Sequence, residues 1–144
     1  MHAFQFSVSL RFFSLIITPS EISEHLGLKP KWAHEKGAPR TTPKGVILGG
    51  VYDRSYCSFS LIRQGDEELH EMLSRVADEF FQKKDFFHQV RKGNGRSELF
   101  IGWYSSGNTG DCFNHVLLSK LGELGIDLAL DVYGQGEAMQ VENE

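Results

Sequence analysis

Six histidines in 144 residues make metal binding the first chemistry to weigh. His34-Glu35 and His70-Glu71 each begin the pattern by which a protease helix holds zinc. That pattern needs a second histidine four residues on, so that both imidazoles leave one helix face. Ala38 and Ser74 stand there instead, and no metal site is expected. For nucleophilic catalysis the chain offers Cys57, Cys112 and His115. A catalytic Cys–His pair meets through the fold, so the nearness of Cys112 to His115 in sequence is no sign of one. No Gly-x-Ser-x-Gly elbow presents a serine. Without CxxC spacing, both cysteines read as small buried hydrophobes. The stretch Ser105 to Gly110 lies between a strand and a helix, where backbone amides cradle anions, but it lacks the lysine and hydroxyl residue of a P-loop. Gly93-Asn94-Gly95 follows a helix instead of opening one. The sequence therefore predicts no enzyme and no cofactor.

What remains is surface. The net charge of -4 is unevenly spread. From Lys29 to Lys44 five bases face Glu35, and from Lys83 to Arg96 five bases face Asp85; from Glu98 onward eight acids face Lys120 alone. Lys29, Lys31, Trp32, Lys36 and Arg40 form a basic loop whose tryptophan could stack on a nucleobase. The acidic total and a pI of 5.9 weigh against nucleic acid as the ligand. The acidic last third suggests a docking face for a basic protein partner, with Asp111, Glu123, Asp127 and Asp131 beside the aromatics Trp103 and Tyr133.

The elements that must position these residues are marked by period and caps. Ala3 to Phe13 reads as a strand with Phe4, Phe6, Val8 and Leu10 on one face. Thr18, Pro19 and Glu21 open a helix whose stripe is Ile22 and Leu26, and Gly27 ends it. Residues 29–45, holding Pro30, Pro39 and Pro43, read as a loop or broken edge strand. Val46 to Tyr52 and Ser55 to Ile62 are two strands turned at Asp53-Arg54, with a bulge suggested by Gly49-Gly50. A main helix starts with Asp66 as its cap and carries Leu69, Met72, Leu73, Val76 and Phe80; it ends near Lys83-Lys84 or runs on through Phe86, Phe87 and Val90. The strand Glu98 to Tyr104 follows. Asn114 caps a third helix ended by Gly125, and Asp127 to Tyr133 is the last strand.

One α+β domain over 1–134 is expected, with a polar, frayed tail over 135–144. A chain of this length buries roughly 70% of its unfolded surface without disulfides or metals. The expected architecture is an antiparallel sheet with two to three helices on one face and a ferredoxin-like core. The start reads as a strand and not a signal peptide, and Phe12 to Ile17 is far short of the roughly 20 residues of a membrane span. A cytoplasmic protein with no membrane contact is the expectation.

Several segments resemble one family. They are Phe6 to Arg11, Thr18 to Pro30 with Lys36-Gly37, Glu67 to His70, and Leu118 to Leu128 running into Asp131-Val132-Tyr133. In order and spacing they are similar to the bacterial family known as domain of unknown function 4279; Pro43 to Tyr56 departs from its pattern. The resemblance carries over no catalytic residues. It implies a compact bacterial domain, and small proteins of this sort occur as immunity proteins beside toxins. The leading expectation is thus a non-enzymatic, immunity-type protein that neutralises a toxin through its acidic face. The alternatives are a nucleic-acid or nucleotide binder using the Trp32 loop and an enzyme with an unfamiliar site.

Overall fold

Along β1 (Gln5–Ser14), Val8, Leu10, Phe12 and Ser14 are buried while Ser7, Ser9, Arg11 and Phe13 are not. This two-residue alternation gives the sheet one packed face and one face that no helix among the described residues covers. A computed structural model describes residues 3–134, so the expected tail over 135–144 lies outside the described residues. After β1 come α1 (Pro19–Leu26), β2 (Trp32–His34), β3 (Pro39–Thr41), β4 (Ile47–Val51) and β5 (Ser55–Leu61). Then follow α2 (Leu69–Phe81), α3 (Lys84–Lys92), β6 (Arg96–Tyr104), α4 (His115–Leu124) and β7 (Ile126–Tyr133).

Five strands form one sheet in the order β2-β5-β1-β6-β7. β1 is central and antiparallel to β5 and β6, and β2 is antiparallel to β5. β7 runs parallel to β6, which corrects the expected all-antiparallel sheet. The cause is α4, a crossover that returns the chain to the same end of the sheet before β7 begins. The fold is therefore α+β with a mixed sheet and, among the described residues, four helices instead of two to three. The pairing does not establish the expected ferredoxin-like core.

Local signals explain most element ends. Thr18 Oγ1 accepts the Glu21 amide at 3.2 Å, Pro19 takes the first helical position, and Gly27 closes α1 at φ 66. Asn114 caps α4 through the Leu117 amide, and Gly125 ends it at φ 71. The cap of α2 is Glu68, in a reciprocal box with Glu71, and not Asp66. The main helix also divides. Continuing the stripe beyond Phe80 by three or four residues would aim Lys83 and Lys84 at the core. A break there turns Phe86, Phe87 and Val90 inward instead. Lys83 then donates through Nζ to the His25 carbonyl at the end of α1, 2.8 Å away.

β4 does not pair with β5 as expected; it joins β3 in a separate two-stranded hairpin. The expected bulge is present, since two residue steps on β3 span four on β4, with Gly49 and Gly50 both at positive φ. The core holds Phe12 against Phe59, Phe86 and Phe87, at centroid distances of 6.1, 6.0 and 5.6 Å. Leu117, Leu121 and Leu124 of α4 close it on the β7 side. No helix among the described residues is long and apolar enough to cross a membrane.

Candidate functional site

The uncovered face is built in rows that cross the sheet. One row runs Trp32, Ser58, Arg11, Glu98 and Asp127, each opposite the next on adjacent strands. A second is Ser60, Ser9, Phe100 and Ala129, and a third passes Ser7, Gly102 and Asp131. Small side chains therefore form the floor while Trp32, Tyr56, Phe100 and Tyr104 rise around it. The result is a trough of about 570 Å³, also lined by Arg11 and Lys31.

Two arrangements shape this trough. The Arg11 guanidinium lies 3.5 Å above the Phe100 ring, and its Nη1 is 3.8 Å from Glu98 Oε1. Glu98, with a side chain 10% exposed, also has Arg96 at 4.0 Å on its other oxygen. Arg11 Nε is buried with no hydrogen-bond partner among the described residues. At the other end, Tyr104 folds back over Gly102 until its hydroxyl lies 3.1 Å from Ser7 Oγ. A Cβ on Gly102 would stand 2.6 Å from Tyr104 Oη and 2.7 Å from Ser7 Oγ, so glycine leaves the space that Tyr104 fills. Tyr104 also stacks on Tyr133, whose hydroxyl donates to Asp131.

Of the acidic set expected from sequence, Asp127, Asp131 and Tyr133 share this face on β7. Asp111 is placed elsewhere: it accepts the His70 amide at 2.9 Å and lies 2.8 Å from His70 Nδ1, tying the loop before α4 to the start of α2. Glu123 is exposed on α4, with its carbonyl 2.6 Å from His88 Nε2. Trp103 is 8% exposed and belongs to the core, stacked on Phe4 and donating to Thr109 Oγ1. Of the basic set, Lys31 and Trp32 line the trough, whereas Lys29, Lys36 and Arg40 do not. Parts of both expected surfaces thus meet on one face. Arg11, Phe100, Tyr104 and the serines were not singled out in sequence. The signal for Arg11 and the serines is the polar half of the alternation in β1 and β5, and Phe100 and Tyr104 carry none of that kind.

The groups weighed for catalysis have structural surroundings. Burial pushes the Cys57 thiol up to about 12, far from the thiolate a nucleophile needs at neutral pH. Cys112, expected to be buried, is exposed, and both thiols are free. Burial, then the nearby Arg54 charge, lowers the pKa of His34, which stacks on Tyr52 at 3.6 Å. Glu68, His70 and Glu71 hold ligand atoms within 4.8 Å of one another. Their donors are already engaged, His70 with Asp111 and Glu71 with the Glu68 amide.

A family model described as Domain of unknown function (DUF4279) matches residues 4–135. No curated protein and no solved structure matches the chain.

Proposed function

The chain belongs to the DUF4279 family, and from that premise we propose that it is a non-enzymatic protein-binding module working through the uncovered face of its five-stranded sheet. The observation that carries this reading is the row Trp32, Ser58, Arg11, Glu98 and Asp127. It places an aromatic and a cation toward one side of the surface and two carboxylates toward the other. Aromatic anchors framed by charges of both signs suit a polypeptide surface, where each charge finds its complement.

A nucleic-acid strand fits this face less well. Stacking on Trp32 and pairing with Arg11 and Lys31 would favour it. Its phosphates would then cross toward Glu98, Asp127 and Asp131, where like charges repel them. Neutralisation of a toxin is the form of the protein-binding reading in which the partner is basic on its β7 side.

The test is co-purification with the product of the neighbouring gene, followed by affinity measurement with variants. Trp32→Ala and Tyr104→Ala are each expected to weaken the complex by about tenfold or more, while Glu24→Ala on exposed α1 leaves it unchanged. A complex indifferent to both trough variants rejects the proposed surface. No complex, and no rescue of cells from that product, rejects the toxin-neutralising form.

A further inference from the structure

β7 is the last strand of the sheet, and among the described residues no strand lies beyond it. Its register with β6 is unbroken from Ile126 to Tyr133. The Tyr133 carbonyl accepts the Ser105 amide at 3.1 Å, so Tyr133 turns its backbone toward β6. By the two-residue period Asp131 and Ala129 do the same, and Leu128, Leu130 and Val132 turn N–H and C=O outward. Those outward groups are a template for another strand.

The side chains say what strand would fit. On the packed side Ile126 is buried, while Leu130 and Val132 emerge 50% and 62% exposed. With Phe113 they border a shallow hollow of about 450 Å³. On the uncovered side the same strand carries Asp127 and Asp131, with Glu98 beside Asp127 on β6. Cross-strand neighbours of opposite charge stabilise a sheet and like charges directly opposite destabilise it. A second copy of β7 laid along this edge in parallel register, or antiparallel about Ala129, would bring aspartates against aspartates. An incoming strand of alternating basic and apolar residues would meet carboxylates on one face and Leu130 and Val132 on the other.

We infer that the β7 edge receives an extended segment of the partner in which basic and apolar side chains alternate, so that the sheet gains a sixth strand. This rests on the protein-binding reading and names how part of the partner docks. Charged residues on an edge also serve simply to deter self-association. In that case the edge would bind no complementary strand.

The probe is the peptide acetyl-Lys-Val-Lys-Val-Lys-Val-Lys-amide, with the same peptide bearing Glu for Lys as control, and the readout is residue-resolved amide exchange in the intact chain. Binding of the lysine peptide with slowed exchange at Leu128, Leu130 and Val132 is the expected result, with no slowing from the glutamate peptide. Asp127→Lys with Asp131→Lys should weaken binding by about tenfold or more. Leu130→Pro removes only an outward amide and should abolish it with the fold intact. Unchanged exchange at the three amides overturns the inference, whatever the proline variant does to folding. If the complex with the neighbouring gene's product still weakens in Trp32→Ala while these amides stay unprotected, the edge inference falls and the uncovered face stands.

Discussion

Arg11 and Phe100 sit diagonally on neighbouring strands, with the guanidinium carbon 3.5 Å above the ring centroid. The contact holds a cation against the Phe100 wall of the trough while Glu98 balances it from the side. Arg11→Ala would leave a largely desolvated carboxylate facing Arg96 alone, at 4.0 Å. The expected cost is about 1–3 kcal/mol, read from urea denaturation. Arg11→Ala with Glu98→Ala should cost less than Arg11→Ala alone, because no buried charge is then left behind.

Two glycines near the sheet should respond differently to alanine. At Gly102 the added methyl meets the ends of the Tyr104 and Ser7 side chains, which can swing away. Stability should change little, while the Tyr104 ring moves and partner affinity falls. At Gly95 the methyl would lie 2.8 Å from the Val90 carbonyl and 3.0 Å from that of Phe13. Backbone cannot yield so easily, so Gly95→Ala should lose about 1–3 kcal/mol. Thermal melts and binding of the two variants check the contrast.

Acid should act on the fold through Glu67 and His34 over separate ranges. The Arg75 hydrogen bonds hold the Glu67 carboxyl below the usual carboxylate range. Its stabilising contribution is therefore full above that range and is lost as pH falls through the folded-state value. His34 has a lowered pKa because burial disfavours its cation. The unfolded chain takes up that proton first, so stability declines as pH falls through the ordinary histidine range. In urea titrations across pH, Glu67→Gln should flatten the acidic limb and His34→Gln the limb nearer neutrality.

The two thiols should differ in reactivity. Cys57 is fully buried with its pKa pushed up to about 12, and Cys112 is exposed. A colorimetric thiol reagent at mildly alkaline pH should modify the Cys112 thiol in the native protein and reach Cys57 only on denaturation. Rapid native reaction of both thiols would contradict the burial of Cys57.

Much of the fold is legible locally. Thr18-Pro19 and Asn114 start helices, Gly27 and Gly125 stop them, and the alternation of β1 separates core from surface. Pairing is not legible in the same way. Nothing in the period of Asp127 to Tyr133 says that β6 is its parallel neighbour, since the direction is set by α4. The division of the main helix at Lys83 was legible only in part. The stripe left open an end near Lys83-Lys84 or a run through Phe86, Phe87 and Val90, and the break is what lets those three be buried. The trough is least visible, because its central row draws on positions 32, 58, 11, 98 and 127. The expected acidic face mixed residues of one strand with a core tryptophan and a loop aspartate that ties α2 in place.

Hydroxyl-radical footprinting of the complex with the neighbouring gene's product tests the role of the uncovered face most directly. Trp32, Tyr104 and Tyr133 are expected to lose reactivity on binding, while Ile47 on the β3–β4 hairpin and Val116 on α4 keep theirs. Protection of Ile47 or Val116 with Trp32, Tyr104 and Tyr133 still reactive would contradict it.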